Sequence, residues 1–473
     1  MLFNSYAFVF LFFPLCILGF YISKKTGKAA ISKAFLIGMS FWFYGFLNPA
    51  NLPVLFISMG VNYGIYLGMK KAVRKKMLLA AGIFCNLAAL FFFKYTESAF
   101  VPLGISFFTF SQIAFLVEGY REEKGAVSLL DYGFYITFFP KLLEGPIALP
   151  EEMSGQVERV LKKNFDWELF YRSLVLFVLG LSKKVLLADT LGGAVDYGYA
   201  NPAALNSGDA LIVMLSYTLQ LYFDFSGYSD MAMGISGMLG FLLPLNFASP
   251  YQAADIIEFW KGWHITLTRF FTKYLYIPMG GSRKGRVRTY LNTLIIFLVS
   301  GIWHGAGLTF IIWGMMHGIL YVLTRLWKEK KAQSARRTGK VKHVICVAGT
   351  FLYVNAAWVF FRAPSVKEAL LLLKKMAALQ FGRINWELAG CFNLDEFWYV
   401  IKVLHIDRWQ YAHYILMVLL LIFAMVIVFF AKTAVNAAAK MKPTVRNTVI
   451  TAVLFVWCVI TFSQVSSFIY LNF

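Results

Sequence analysis

Residues 258–264 read EFWKGWH and residues 301–305 read GIWHG, two histidine-bearing stretches set in some of the most apolar parts of a 473-residue chain that is 59% hydrophobic. An ionisable side chain retained inside hydrocarbon is costly, so by default it marks a pathway or a reaction. Imidazole is also the side chain best tuned to move protons near neutral pH. The surroundings of these histidines decide the fold class. Mean hydropathy is +0.64, and 18% of residues are aromatic against 15% charged, which excludes an ordinary water-soluble domain. Runs such as 2–22, 414–431 and 447–462 are apolar for about the length of a bilayer core. Counting similar runs gives on the order of 11 transmembrane helices, with shorter re-entrant or interfacial pieces. The expected fold is an all-α, polytopic membrane protein.

Charge supports that reading. The net charge of +21 sits mainly in loops at 70–76, 283–288 and 328–342, where the positive-inside rule accounts for it. No basic surface of a soluble fold accompanies these clusters, so nucleic acid is excluded as a partner, while contact with anionic inner-leaflet lipid follows. The first apolar run has no basic residue before it and Lys24, Lys25 and Lys28 after it, the reverse of a cleaved secretion signal. It is expected to stay, with its start outside. Alternation then places 24–33 inside, 48–51 outside, 70–76, 121–124 and 432–446 inside, and Phe473 outside. The five cysteines, Cys16, Cys85, Cys346, Cys391 and Cys458, occur singly, without metal-ligand spacing or a disulfide framework. No metal is expected.

Residues 1–473 read as a single membrane domain without internal repeats. A mixed segment at about 363–410, with Pro364, an amphipathic stretch and acidic Glu387, Asp395 and Glu396, reads as an external connection between spans. The run YFDFSGYSD at 222–230 sets Asp224 and Asp230, two serines and a glycine beside apolar sequence, and Pro244 and Pro250 follow. Broken helices are tolerated at membrane depth only where they face protein or a water-filled cavity, so the pattern predicts a central funnel or tunnel. In 255–278 a stripe of Phe259, Trp260, Trp263, Leu267, Phe270 and Phe271, with Lys261, Thr268 and Lys273 off it, predicts a helix lying at or dipping into the interface.

Taken jointly, Phe259-Trp260-x-x-Trp263-His264, the tail 274–285 (YLYIPMGGSRKG) and Gly301-Ile-Trp303-His304-Gly305 resemble the membrane-bound O-acyltransferases. The bacterial polysaccharide O-acetyltransferases, typified by the alginate enzyme, are the most similar subgroup. Residues 224–231 (DFSGYSDM) and 102–108 (PLGISFF) look like that subgroup too, and the motif core spans about 102–325. The resemblance implies transfer of an acyl group from a thioester to a hydroxyl, in a multi-pass protein of the bacterial inner (cytoplasmic) membrane. It implies no bound cofactor, with acetyl-CoA or another acyl thioester as donor substrate.

It also assigns His304 as the catalytic histidine and His264 as its partner. A neutral imidazole can take the proton of a poor hydroxyl nucleophile during attack, typically worth about 10²–10⁴-fold, and then return it to the leaving thiolate. His264, or an amide or indole N–H of Trp263, could stabilise the oxyanion. Trp263, Trp303 and His317 are candidates for lining or orienting the tunnel, although Gly318 beside His317 equally suggests helix packing. Asp224 and Asp230 could orient the histidines, line the donor channel, or hydrogen-bond free backbone at a helix break. Arg269 and Lys273 could meet donor phosphate or snorkel to headgroups. Lys141 and Glu144 stand where the family usually carries uncharged residues, and three residues apart they could pair on one helical face. His343, His405 and His413 lie near ends of spans and have no assigned role.

The last six residues, 468–473, read FIYLNF. Aromatics at the end of a span often form an interfacial belt, yet FxYxxF resembles a motif of bacterial surface-polymer modification in which a tyrosine relays the acyl group. Tyr470 is therefore a candidate covalent acyl relay. Expected partners are an acyl-CoA or acyl carrier, a surface polysaccharide acceptor with a secreted or membrane-anchored SGNH-type partner, and membrane lipid. Two alternatives stay open: a D-alanyl transferase to teichoic acid, and a polymer transporter or channel subunit.

Overall fold

Several helices in this chain start at a residue whose side-chain oxygen takes one of the first free amides. Ser128, Asp166, Asn206 and Asp255 each accept a backbone N–H at a helix start. The computed structural model describes residues 1–473 except 97–99, 123–125, 332–338, 394, 407–408, 465–467 and 470–473. Among the described residues the regular structure is helical, without strands. The principal helices are α1 (Ala7–Lys25), α2 (Ala29–Gly45), α3 (Asn51–Lys71), α4 (Lys75–Tyr95), α5 (Ile105–Arg121) and α6 (Leu129–Thr137). Then come α7 (Trp167–Ser182), α8 (Asp189–Ala200), α9 (Ser207–Met238), α10 (Ile256–Gly262), α11 (Ile265–Phe271) and α12 (Arg286–His304). The last are α13 (Leu308–Lys331), α14 (Lys340–Arg362), α15 (Val366–Ala377), α16 (Ala412–Phe430) and α17 (Val445–Ile460).

By length and composition α1, α3, α4, α13, α14 and α16 can cross a membrane, and α17 is a shorter apolar helix. Fewer helices meet both conditions than the roughly 11 apolar runs suggest. Among the described residues α9 is the longest helix, at 32 residues, and it buries nearly all its side chains against protein and so tolerates polar residues that a lipid-facing helix would not.

Glycine sets a close helix contact in the core. A Cβ on Gly180 of α7 would stand 2.7 Å from the Gly227 carbonyl oxygen of α9, and one on Gly234 would stand 2.7 Å from the backbone nitrogen of Phe177. Small residues let backbones approach this closely where lipid removes any hydrophobic drive between helices. The α12–α13 hairpin repeats the device, since Cβ atoms on Gly301 and Gly314 would lie 2.5 Å and 2.4 Å from the carbonyl oxygens of Phe310 and Phe297.

Two expectations change. The run 222–230 lies inside an unbroken α9; its two carboxylates are met by Lys183 and Lys184, and the chain leaves the helix only after Met238, through Gly240 (φ +85°) and the segment carrying Pro244 and Pro250. Residues 255–278 are two short helices, α10 and α11, parted at Trp263 and His264 and followed by a π-helical turn at Thr272–Tyr276. Their aromatic stripe is buried in protein rather than laid on an interface. Between α14 and α16, α15 packs on α9 and α14.

Gly234→Val is expected to destabilise the protein by about 1–3 kcal/mol, as overpacking does. Thermal unfolding in detergent should show a clear loss of melting temperature, whereas Gly349→Ala, with open space around its Cα, should leave it unchanged.

Candidate active site

His264 occupies the turn between α10 and α11 with φ +44°. A non-glycine residue in this left-handed region costs on the order of 1–3 kcal/mol and persists only when its surroundings enforce it. The enforcement comes from the segment after α9. Ile265 donates its N–H to the Asn246 carbonyl (3.0 Å) and Ala248 donates to the Gly262 carbonyl (2.9 Å). The Asn246 side chain fixes the ring: Oδ1 lies 3.1 Å from His264 Nδ1 and accepts from the N–H (3.3 Å) and hydroxyl (2.9 Å) of Thr266. Nδ2 donates to Ser229 Oγ at 3.2 Å.

This network assigns the tautomer. Asn246 Oδ1 is the acceptor for Thr266, so His264 Nδ1 carries a hydrogen and donates to it. Nε2 is buried and has no hydrogen-bond partner, so the neutral ring presents a bare lone pair there. Such a ring is built to accept a proton or a hydroxyl hydrogen bond; it has no N–H left for an oxyanion.

His304 ends α12 and is 3% exposed. Its ring packs against Trp303 (centroids 4.5 Å apart), Trp313 (5.0 Å) and Phe361 (4.9 Å). The helix end behind it is capped from α4: Lys94 Nζ donates to the Trp303 carbonyl and Tyr95 Oη to the Ile302 carbonyl. A cation at a helix C-terminus satisfies free carbonyls and complements the dipole. Aromatic contacts join the two histidines, from Trp263 to Trp358 (4.9 Å), Trp358 to Trp313 (5.5 Å) and on to His304. The indole N–H groups of Trp303 and Trp313 are buried without a hydrogen-bond partner, which leaves two donors beside His304.

His317 belongs to the same aromatic enclosure but is committed elsewhere. Its Nδ1 accepts from Trp260 Nε1 (3.3 Å), tying α10 to α13. Asp224 and Asp230 meet lysines rather than histidines. Lys183 pairs with Asp230 (2.6 Å), and Lys184 pairs with both Asp189 (2.7 Å) and Asp224 (2.8 Å). Asp224 also accepts the backbone N–H of Ile469 (2.9 Å). Arg269 binds Glu152 with two nitrogens (2.5 and 2.8 Å), and Lys273 pairs with Glu151 (2.9 Å) and Glu118 (3.2 Å). Lys141 and Glu144 do not pair. Lys141 lies over the Tyr135 ring (4.4 Å) and near Ser111 (3.4 Å), while both Glu144 carboxyl oxygens are buried without a hydrogen-bond partner. Tyr470 lies outside the described residues.

A cavity of about 750 Å³ opens beside α10 and α11, lined by Trp260, Lys261, Arg269, Lys273, Ser300 and Arg325 among others. Its basic side chains and aromatic wall suit an anionic molecule with an apolar part. Sequence reasoning passed over Asn246, Lys94, Lys183 and Lys184. The lysine pair carried a usable signal, because two adjacent cations inside the apolar run 173–188 demand buried partners.

The tautomer can be checked directly. Imidazole ¹⁵N shifts of His264 are expected to report a protonated Nδ1 and an unprotonated Nε2, and Asn246→Ala should collapse that preference into tautomer averaging.

The description MBOAT, membrane-bound O-acyltransferase family, matches residues 55–361. The chain is 36% identical over 425 residues to the peptidoglycan O-acetyltransferase of Helicobacter pylori, covering 80% of each chain. It is 34% identical over 416 residues to the probable alginate O-acetylase AlgI of Pseudomonas putida, covering 82% of each. A more distant relative, the teichoic acid D-alanyltransferase of Streptococcus thermophilus, is 27% identical over 248 residues, 50% of this chain and 60% of that one. With a family match over more than half its length and relatives above 30% identity across most of it, the chain belongs to the membrane-bound O-acyltransferases.

Proposed function

We propose that this O-acyltransferase moves an acetyl or similarly short acyl group from a cytoplasmic thioester, acetyl-CoA or an acyl carrier, to a hydroxyl of an extracytoplasmic polysaccharide. The observation that carries the reading is the buried His264 Nε2 lone pair, directed at no protein group, with a run of aromatic contacts leading from its neighbour Trp263 through Trp358 and Trp313 to His304. Two relatives that the chain matches over four-fifths of its length are named for O-acetylation of peptidoglycan and of alginate.

In this mechanism His304 is the general base. It takes the hydroxyl proton as the oxygen attacks the thioester carbonyl, and the resulting imidazolium protonates the thiolate as the carbon–sulfur bond breaks. The indole N–H groups of Trp303 and Trp313 are the oxyanion donors available beside it. His264 accepts a hydrogen bond from the incoming hydroxyl and so orients it. The basic cavity at Lys261 and Arg325 receives the donor's phosphates, with Arg269 and Lys273 held at its wall by their carboxylate partners.

Tyr470 carries the acyl group outward as an ester, the donor's CoA staying behind, and a secreted SGNH-type partner finishes the transfer. Support comes from the two residues before it: Phe468 is fully buried and Ile469 donates its N–H to Asp224. The protein works as one unit in the bacterial cytoplasmic membrane.

His304→Ala is expected to lower transfer of radiolabelled acetyl from acetyl-CoA by at least about 10²-fold in reconstituted membranes, with insertion and melting temperature unchanged; normal polymer acetylation by that variant contradicts the assignment. Trp313→Phe should lower kcat on the order of 10²-fold, the scale of one lost oxyanion donor, with little change in KM. Tyr470→Phe removes only a hydroxyl and should abolish polymer acetylation in cells; acetylation that persists refutes the relay.

A further inference from the structure

We propose that Asp224 and Lys184 form a latch that holds Phe468 and Ile469 in a fixed register beside the histidine site, which makes Asp224 and Lys184 positioning residues for that pair. Four contacts define the latch. Ile469 donates its backbone N–H to Asp224 Oδ2 at 2.9 Å, across 245 residues of sequence. Lys184 Nζ forms an ion pair with Asp224 Oδ1 at 2.8 Å and stands 4.6 Å from the centroid of the Phe468 ring. Phe468 is fully buried and meets Tyr228 edge-on at 4.8 Å and 90°.

Each contact reads a different feature of the segment. Lys184 over the ring face and Tyr228 at its edge select an aromatic side chain at position 468. Asp224 selects a free N–H at 469, and hydrogen bonds to a charged acceptor are about twice as strong as neutral ones. A shift by one residue in either direction would place an aliphatic side chain or a serine against the cation and leave Phe468 without its pocket, so these requirements fix the register. Asp189 completes the geometry by holding Lys184 from its other side at 2.7 Å.

The latch is coupled to the site by adjacency on α9. Phe225, the residue after Asp224, packs edge-on against the His264 ring at 4.7 Å, and Ser229 one turn further on accepts from Asn246, which fixes that ring. A single helix segment thus holds Ile469 by one residue and packs on the imidazole by the next. That the latch serves acyl transfer rests on the reading of Tyr470 as the relay; the latch itself does not.

Hydrogen exchange of the Ile469 amide in the full-length protein tests the proposal. In Asp224→Ala and in Phe468→Leu exchange is expected to rise on the order of tenfold, the equivalent of one charge-assisted hydrogen bond, with a smaller rise in Asp224→Asn, which keeps an oxygen acceptor. Phe468→Leu leaves the Asp224–Lys184 pair untouched and decides the matter should Asp224→Ala fail to fold. Polymer acetylation should fall in the same order as exchange rises, through kcat and with unchanged KM for acetyl-CoA. Unchanged Ile469 exchange in folded Asp224→Ala or Phe468→Leu protein overturns the latch. Faster exchange with undiminished acetylation keeps the latch and overturns the relay.

Discussion

Two lysine–aspartate pairs buried between neighbouring helices organise this molecule. Lys183 with Asp230, and Lys184 with Asp224, join the end of α7 to the middle of α9, in a region where an unpartnered charge is among the costliest errors a chain can make. Removing one member of a buried pair typically costs about 3–5 kcal/mol, because the other is left uncompensated. The pairs need two local devices. Glycines 180, 227 and 234 bring the helix backbones into contact, and a π-helical turn at Lys183–Ala188 lets adjacent lysines reach carboxylates six positions apart on α9. Such turns occur frequently at functional sites.

With α9 held this way, the histidine site assembles from pieces far apart in sequence. α9 contributes Phe225 and Ser229; the segment after it brings Asn246 against the strained turn at His264; the glycine-packed α12–α13 hairpin brings His304, with Lys94 and Tyr95 of α4 closing the helix end. The two imidazoles are not interchangeable. His264 is oriented by an amide that fixes its tautomer, whereas His304 ends a helix among indoles that still have hydrogens to donate. That asymmetry suits one residue that orients a hydroxyl and another that moves its proton.

The sequence was informative where a residue type contradicts its surroundings. Histidines in apolar runs and the joint FWxxWH and WHG motifs led to the family and to both imidazoles. The same signal is present at Lys183 and Lys184, but it is absent at Asn246, because a lone amide between two prolines reads as ordinary loop chemistry. The polar run 222–230 suggested a broken helix since periodicity does not reveal that neighbouring lysines satisfy its carboxylates. Arg269 and Lys273 looked like free cations because their carboxylates lie more than 100 positions away. Hydropathy also does not distinguish a helix that faces lipid from one buried, like α9, in protein.

The central claim is that acyl transfer takes place between His304 and His264. An experimental structure of the protein with a non-hydrolysable acetyl-CoA analogue tests it most directly. The account expects the acyl carbon within hydrogen-bonding reach of the His304 ring, its oxygen toward the Trp303 or Trp313 indole, and the nucleotide in the cavity of Lys261 and Arg325. An analogue whose acyl end lies away from both imidazoles would contradict it.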